Sequence, residues 1–366
     1  MKHRERVQIA LEHRTPDRCP MYVGFTPEFR ARLRADMQRR GFNLTGDDDA
    51  FEIERSLDED MLLTFVGWAL SYYQEGDTYL DEWGIRWRSV AYETPFGVGH
   101  YTEMAEHPLA DERAVLCYHS PDPHRPELYR GAERAVREFG SEYWIVGAVV
   151  CTIFEAAWGL RGLTALLVDF VQNPDLAEQV LDIPYRYHLA AAKRLVQFGV
   201  DMIWLGDDVG TQHAMLISPQ QWRRFLKPRM ANLIAELKAT NPGVKVAYHS
   251  DGYIYPIIGD LIEIGVDVLN PVQPASMDPA QLKREFGERL SFWGSIDLQY
   301  TLPHGSPSEV KAEVRRRLNT IGRNGGLIIG PTHYVQLDTP LENFWAMIEA
   351  IKGTPYQALE LDTVDQ

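Results

Sequence analysis

Short apolar runs alternate with longer segments of helical periodicity through most of this chain, and this alternation limits the folds that are open to it. Six runs have the composition of strands buried on both faces: residues 143–150, 202–206, 244–248, 266–270, 290–294 and 327–329. Helices are predicted at residues 176–197, 219–239, 308–322 and 341–352. Alternating strands and helices predict an α/β protein with a parallel sheet.

Polar or glycine-rich residues follow nearly every predicted strand, and they help to decide between the two common α/β architectures. These strand ends are residues 206–208, 249–252, 270–274, 294–297 and 330–333. A (β/α)8 barrel collects such residues in one ring of loops, whereas a doubly wound sheet collects them mainly at its switch point. No G-x-G-x-x-G motif follows a strand. We therefore expect a (β/α)8 TIM barrel.

The first 140 residues are less regular and are expected to decorate the barrel. Residues 20–23 are predicted as the first barrel strand, residues 26–39 as a helix, and residues 81–88 with 101–103 as a β-hairpin. No linker or repeat is visible. We expect one domain over residues 1–366, in which residues 1–140 include capping helices and the hairpin.

Charge and cysteine content narrow the range of partners. The 366 residues include 52 acidic and 37 basic side chains, a formal charge of −15, which disfavours nucleic-acid or anionic-membrane binding because such surfaces need clustered basic groups. No apolar stretch approaches the roughly 20 residues that span a bilayer, and no signal-peptide core is present. Cys19, Cys117 and Cys151 are far apart and odd in number, as expected in a reducing compartment. We expect a cytoplasmic protein.

Three side chains with metal-binding chemistry are predicted at the ends of two strands. His249 and Asp251 stand at positions i and i+2 where an extended segment ends, so both project to the same side. His333 follows the strand at residues 327–329 in a similar place. We predict that these three residues bind a metal ion. The alternatives are a buried histidine bonded to a backbone carbonyl, and an aspartate that caps the next helix.

Further polar residues near these strand ends are candidates for catalysis and substrate binding. Asp207 and Asp208 are adjacent, and adjacent strand residues point oppositely, so one is expected in the pocket and the other in a cap or ion pair. Glu155 is a candidate fourth ligand or general acid, or a carboxylate at a helix start. Asn270, Gln273 and Tyr248 are predicted to contact the substrate.

Several short motifs together resemble the uroporphyrinogen decarboxylase superfamily. They are Pro-Asp-Arg-Cys-Pro at 16–20, Gly-Asp-Asp at 206–208, His-Ser-Asp-Gly at 249–252, Asn-Pro-Val-Gln at 270–273, Gly-Ser-Ile-Asp at 294–297, Gly-Pro-Thr-His at 330–333 and Thr-Pro-Leu-Glu-Asn at 339–343. The resemblance covers most of the chain. It implies a (β/α)8 barrel and one of two activities, decarboxylation in the haem pathway or zinc-dependent methyl exchange with corrinoids.

Two regions favour the methyltransferase branch. The decarboxylase branch has an Arg-Gln-Ala-Gly-Arg segment whose arginines hold substrate carboxylates, and the corresponding residues 23–27 contain no arginine. In the methyltransferase branch, a His-x-Cys-Gly motif and a later cysteine bind zinc. His249 matches that histidine, whereas Asp251 and His333 stand where the two cysteines would be. This harder ligand set still suits zinc and is expected to polarise an oxygen, as in a methyl ether.

The resemblance therefore implies a zinc methyltransferase that moves a methyl group between a small O- or S-methyl compound and a corrinoid (cobalamin) on a carrier protein. Asp207 or Asp208, and Glu155, would orient a ligand histidine or transfer a proton. Two alternatives stay open. One is a metal-free decarboxylase of a smaller or tetrapyrrole acid, in which His333 and an aspartate manage protonation. The other is a non-catalytic corrinoid- or tetrapyrrole-binding protein.

Overall fold

The computed structural model describes residues 1–46, 51–74 and 76–356. The α-helices are α1 (His3–Leu11), α2 (Pro27–Arg39), α3 (Glu52–Leu57), α4 (Arg130–Phe139), α5 (Phe154–Arg161), α6 (Leu163–Gln172), α7 (Pro174–Phe198), α8 (Pro219–Phe225), α9 (Lys227–Thr240), α10 (Ile258–Glu263), α11 (Pro279–Phe286), α12 (Thr301–His304), α13 (Pro307–Asn319) and α14 (Leu341–Lys352). The strands are β1 (Met61–Phe65), β2 (Thr78–Leu80), β3 (Arg86–Thr94), β4 (Gly97–Glu106), β5 (Trp144–Ala148), β6 (Met202–Gly206), β7 (Lys245–His249), β8 (Val268–Asn270), β9 (Ser291–Ile296) and β10 (Leu327–Pro331). No helix in these described ranges is long and apolar enough to cross a membrane.

Seven strands form one parallel sheet in the order β1-β5-β6-β7-β8-β9-β10. At least one helix lies between each strand of this sheet and the next along the chain, which is the repeated crossover that parallel strands require. The six predicted strands are confirmed as β5 to β10. Strand β1 was not predicted. The mixed α/β class is therefore confirmed.

Side chains of this sheet alternate between two apolar clusters. One cluster draws on all seven strands and lies on one face of the sheet; it contains Val7, Leu11, Met61, Leu63, Trp144, Val146, Ala148, Met202, Trp204, Ala247, Val268, Trp293 and Ile328. The intervening residues, such as Leu62, Ile145 and Ile203, belong to the larger cluster that includes the helices. Successive residues of a strand face opposite sides, so the sheet curls around the smaller cluster while the helices cover its outside.

Residues 20–23 lie between the two edges of the curled sheet. On one side the Tyr22 N–H donates to the Ile329 carbonyl (3.1 Å), and the Ile329 N–H donates to the Pro20 carbonyl (2.8 Å). On the other side the Asp60 N–H donates to the Met21 carbonyl (2.9 Å). The predicted first strand is thus an isolated parallel bridge, because Pro20 has no N–H and the Met21 N–H binds the Asp60 side chain (2.7 Å).

The predicted hairpin is present as β3 and β4, which form an antiparallel sheet with β2. Trp87 anchors it: its indole Nε1–H donates to Asp81 Oδ2 (2.8 Å), and its ring contacts Tyr72 edge-on at 5.1 Å between centroids. Tyr72 in turn follows the single-turn helix Trp68–Ser71. The small sheet therefore supports the segment at residues 68–73, which borders the site described below.

One predicted helix is interrupted. Residues 219–239 form two helices, α8 and α9, that meet at Leu226. Pro228 cannot donate a backbone hydrogen bond to the preceding turn, so it ends one helix and fits only in the first turn of another. The predicted helices at residues 176–197, 308–322 and 341–352 are confirmed as α7, α13 and α14.

Candidate metal centre

The loops that follow β6 and β7 lie against each other, and glycine permits the contact. A Cβ on Gly206 would lie 2.1 Å from the His249 carbonyl oxygen, and one on Gly252 would lie 2.4 Å from the Thr211 carbonyl oxygen. Gly252 also has a φ of +78°, a conformation that other residues rarely adopt. This close approach brings Asp208 beside the residues of the His-Ser-Asp-Gly turn.

His249, Asp251 and His333 meet at the carboxyl ends of β7 and β10. Each offers one ligand atom, and the three atoms lie within 4.8 Å of one another. One point is therefore within about 2.8 Å of all three atoms, compared with zinc bonds of about 2.0–2.2 Å to nitrogen and oxygen. The structure brings together the three residues predicted to bind metal.

Asn270 fixes the orientation of the His249 ring. The Asn270 Oδ1 accepts a hydrogen bond from His249 Nδ1 (2.7 Å), and its Nδ2–H donates to the Trp293 carbonyl (3.3 Å). With the proton on Nδ1, the Nε2 lone pair is available, and Nε2 lies 3.9 Å from Asp251 Oδ1. An outer partner on one ring nitrogen is the usual arrangement for a histidine that binds metal through the other.

Asp251 presents a buried oxygen that lacks a hydrogen-bond partner. Its Oδ1 is inaccessible to solvent and contacts no donor among the described residues. Burial and the neighbouring Asp208 raise the pKa of this carboxyl, while His249 and His333 oppose the change. A buried, unsatisfied carboxylate oxygen is unfavourable by itself. A cation at the centre of the three residues would satisfy it, so the donor set fits a zinc ion.

Asp208 and Glu155 adjoin the three residues. Asp208 Oδ1 lies 3.6 Å from His249 Nε2 and accepts the Asp251 backbone N–H (2.7 Å). Glu155 Oε2 accepts the Asp208 backbone N–H (3.0 Å). Burial, Asp208 and then Asp207 raise the pKa of Glu155 well above its usual range. A carboxyl group whose pKa is raised in this way is a candidate proton donor.

The other three predicted residues lie outside the cavity lining. Asp207 is buried and accepts the backbone N–H groups of Ile153 (2.9 Å) and Glu155 (3.0 Å); burial raises its pKa to about 7. The Gln273 Oε1 accepts the Gly252 N–H (2.6 Å). Tyr248 belongs to the cluster that includes the helices, because it adjoins His249 on the strand and points oppositely. These side chains support the loops of the site from behind.

A cavity of about 420 Å³ opens beside the three residues. His249, His333, Asp208, Glu155 and Asn270 line it, whereas Asp251 is not part of the lining. Much of the remaining wall is aromatic, from Tyr22, Phe65, Tyr72, Tyr73, Trp204, Trp293 and Tyr334. Among the described residues that line the cavity, none is lysine or arginine. The site is therefore an apolar pocket with a polar, metal-competent end.

Sequence reasoning did not identify most of this aromatic wall. Trp204 and Trp293 are buried and line the cavity. Trp204 lies two residues after Met202 on β6, and Trp293 lies two residues after Ser291 on β9, so each pair faces the same side of the sheet. This alternation was available in the sequence. Cys151 also lines the cavity, with a φ of +57°. Burial raises the pKa of the Cys151 thiol well above its usual range, so this thiol is neutral.

Comparison with known proteins places the chain in a family. The family model for uroporphyrinogen decarboxylase (URO-D) matches residues 94–354. Similar curated proteins include methylcobamide:CoM methyltransferase MtaA of Methanosarcina barkeri, 29% identical over 181 residues, which are 49% of this chain and 50% of that protein. Another is uroporphyrinogen decarboxylase of Coxiella burnetii, 22% identical over 208 residues, 56% of this chain and 55% of that protein. The chain thus spans about half the length of these relatives.

A solved structure agrees with the fold. A methyltransferase from Methanosarcina mazei superimposes with a TM-score of 0.64 at 19% identity, over 96% of this chain and 99% of that chain. At this identity the similarity shows the fold and not the activity. The match of the family model to most of the chain is the stronger result. The chain therefore belongs to the uroporphyrinogen decarboxylase family.

Proposed function

We propose that this protein is a zinc-dependent methyltransferase that moves a methyl group between a small methylated compound and a corrinoid on a carrier protein. The observation that carries the proposal is that ligand atoms of His249, Asp251 and His333 lie within 4.8 Å of one another, at a buried Asp251 whose Oδ1 has no hydrogen-bond partner among the described residues. The similarity to methylcobamide:CoM methyltransferase over half of the chain supports the same activity.

The proposal includes the closed form of the fold. In it, residues 20–23 supply the eighth strand of a (β/α)8 barrel, and α2, α3 and the β2-β3-β4 sheet decorate one domain over residues 1–366. The hydrogen bonds from residues 20–23 to β10 and to Asp60 support this closure. Closure matters for function because a barrel directs the carboxyl ends of all its strands toward one site.

His249, Asp251 and His333 are the residues that would hold the zinc ion. Bound zinc supplies a Lewis acid that stabilises negative charge on the heteroatom as the methyl group departs. Asn270 holds the His249 ring in the orientation that leaves Nε2 free. Asp208 Oδ1 lies 3.6 Å from that nitrogen.

Glu155 is the proposed proton donor to the departing heteroatom. Its Oε2 accepts the Asp208 N–H, so the proton resides on Oε1. Asp207 positions this acid by binding the backbone N–H groups of Ile153 and Glu155. In this assignment Asp207 is a positioning residue, while Glu155 and Asp208 touch the reacting groups. Asn270 lines the cavity and is the proposed substrate contact. Tyr248 and Gln273 act only through the loops that they support.

The lining of the cavity disfavours decarboxylation of a polycarboxylate. Such a substrate needs cationic side chains to offset the desolvation of its carboxylates, and no lysine or arginine lines the cavity among the described residues. Glu155 and Asp208 add carboxyl groups to the same wall. The metal-free decarboxylase is therefore the weaker candidate.

Metal analysis combined with a corrinoid assay tests the proposal. Purified protein is expected to contain about one zinc per chain, and Asp251→Ala and His249→Ala are expected to lose it. His213→Ala, at an exposed histidine outside the cavity lining, is the matched control and should retain zinc. With a methylated donor, cob(I)alamin should be methylated by the control and not by either ligand variant. Zinc-free protein that methylates cob(I)alamin would contradict the proposal.

A further inference from the structure

The aromatic residues of the cavity form one continuous wall that ends at the candidate metal centre. The Tyr22 and Trp293 rings meet edge-on at 5.4 Å between centroids, and Trp293 and Trp204 meet at 4.7 Å. Phe65 contacts Trp204 edge-on at 6.3 Å. Trp204 also contacts the His249 ring edge-on at 5.5 Å. A flat, apolar group against this wall would lie directly beside the proposed zinc ligands.

The charges of the lining favour a substrate without a negative group. Glu155 and Asp208 line the cavity with the two histidines, and no lysine or arginine does so among the described residues. A permanent anion would be desolvated there without a cationic partner other than the metal, which is unfavourable. Coenzyme M, which appears as CoM in the name of the methyltransferase relative, carries a sulfonate. Among the described residues, the cavity lining offers a sulfonate no cationic lysine or arginine.

A methylated ammonium ion also suits aromatic walls, but it does not suit the metal centre. Its nitrogen has no lone pair to offer the open zinc position until the methyl group has left. An ether oxygen has lone pairs throughout. The cavity volume of about 420 Å³ is at the small end of ligand pockets, which span about 300–1,000 Å³, and it accommodates a one-ring compound.

We propose that the methyl donor of this site is an uncharged, one-ring aromatic methyl ether, whose ring packs on the Trp204–Trp293 wall while its ether oxygen faces His249 and His333. This inference rests on the proposed methyl transfer. The O–CH3 bond breaks with its electron pair retained by the oxygen, and a proton completes the phenol. The methyl carbon accepts the electron pair of the cobalt(I) corrinoid, which becomes methylcobalt(III).

Binding measurements on the zinc-loaded full chain test the substrate class without turnover. The probes are 4-methoxyphenol and 4-methoxybenzoate, which share the methoxyarene and differ in charge, together with 2-mercaptoethanesulfonate and tetramethylammonium. In calorimetric or ligand-observed NMR titrations, 4-methoxyphenol is expected to bind at least tenfold more tightly than each of the other three. Equal or tighter binding of any of them overturns the proposal, as does absence of 4-methoxyphenol binding.

Two variants link the binding to the wall and its charge. Trp204→Leu removes the central ring and should weaken 4-methoxyphenol binding at least tenfold. Leu70→Arg places a cation at the rim, where Leu70 is 45% exposed and so tolerates the change; it should strengthen 4-methoxybenzoate binding at least tenfold. Failure of Leu70→Arg to favour the benzoate contradicts the charge argument even when Trp204→Leu does not fold.

The outcomes separate this inference from the proposed function. Methylation of cob(I)alamin from another donor, without arene binding, overturns the substrate class and leaves the methyltransferase intact. Arene binding with the expected preferences, without methyl transfer to any corrinoid, supports the substrate class and contradicts the proposed activity.

Discussion

Removal of the Asn270 side chain should weaken zinc binding although Asn270 is not itself a proposed ligand. Asn270→Ala deletes the 2.7 Å hydrogen bond that holds the His249 Nδ1–H. The imidazole then loses its acceptor at a residue that is 5% exposed, where water replaces the amide poorly. Free His249 can rotate or transfer its proton to Nε2, and either change competes with metal binding.

The size of the effect follows from the role of such outer partners. Loss of a hydrogen bond to a metal-binding histidine typically costs about 10–100-fold in metal affinity, or about 1.4–2.7 kcal/mol. The second Asn270 contact, to the Trp293 carbonyl, is 3.3 Å long, so its loss adds little. Asn270→Asp retains an oxygen acceptor of similar reach and should keep zinc affinity within about threefold of the wild type.

Competition against a chromophoric zinc chelator measures the dissociation constants. Asn232→Ala, at an exposed asparagine that bonds Tyr185, serves as the control for a general effect of the substitution. We expect the wild type, Asn232→Ala and Asn270→Asp to bind zinc with similar affinity. Asn270→Ala should bind zinc at least tenfold more weakly. Zinc affinity that is unchanged in Asn270→Ala would rule out this role for Asn270, and so would an equal loss in Asn270→Asp.

Two further predictions concern the loops that position the site. Gly252→Ala places a Cβ 2.4 Å from the Thr211 carbonyl oxygen at a φ of +78°, and it should lower the free energy of unfolding in urea by about 1–3 kcal/mol; Gly259→Ala, with open space around it in α10, should not destabilise. Burial lowers the pKa of His188 to about 4, whereas a histidine in the unfolded chain titrates at about 6.5. As the pH falls below about 6.5 the unfolded chain binds the proton first, so the free energy of unfolding should decrease by about 3 kcal/mol by pH 4. A pH series of urea titrations should show this decrease in the wild type and a shallower one in His188→Gln; equal slopes would contradict it.

The buried His188 ring has a hydrogen-bond partner at each nitrogen. Its ring bonds the Thr152 carbonyl through Nδ1 (2.7 Å), and its Nε2 accepts the Trp68 backbone N–H (3.2 Å). One neutral imidazole thus joins two segments that border the cavity. Protonation at Nε2 would remove the acceptor for the Trp68 N–H, and burial is the main reason that the pKa of His188 is lowered.

Local sequence patterns predicted the parallel sheet because its strands are buried on both faces and therefore appear as continuous apolar runs. Strand β1 could not be recognised in the same way, because it directly follows two acidic residues, Glu59 and Asp60, that are buried by tertiary contacts. The Asp60 carboxylate binds Arg6 and Arg18, and no local pattern indicates such an ion pair. The break at Leu226, by contrast, could have been predicted from Pro228.

At the site, strand alternation accounts for part of the outcome. Asp207 binds backbone N–H groups while Asp208 lines the cavity, as alternation predicts, and the same rule applied to Tyr248 beside His249 directs that tyrosine away from the cavity. Asn270 ends β8 and Gln273 follows three residues later, and only the folded backbone determines that Asn270 faces His249 while Gln273 binds Gly252. The aromatic wall combines β1, β6, β9 and three further segments, at Tyr22, at Tyr72 with Tyr73 and at Tyr334, so it depends on distances that a sequence does not contain.

The most direct test of the proposed metal centre is the identity of the atoms around the bound metal. X-ray absorption at the zinc edge of the purified protein should show only nitrogen and oxygen neighbours at about 2.0–2.2 Å, with imidazole scattering from two histidines. Asp251→Ala should remove one oxygen or the metal itself. A sulfur neighbour at about 2.3 Å, which would have to come from a cysteine such as Cys151, would contradict the assignment of His249, Asp251 and His333 as the ligands.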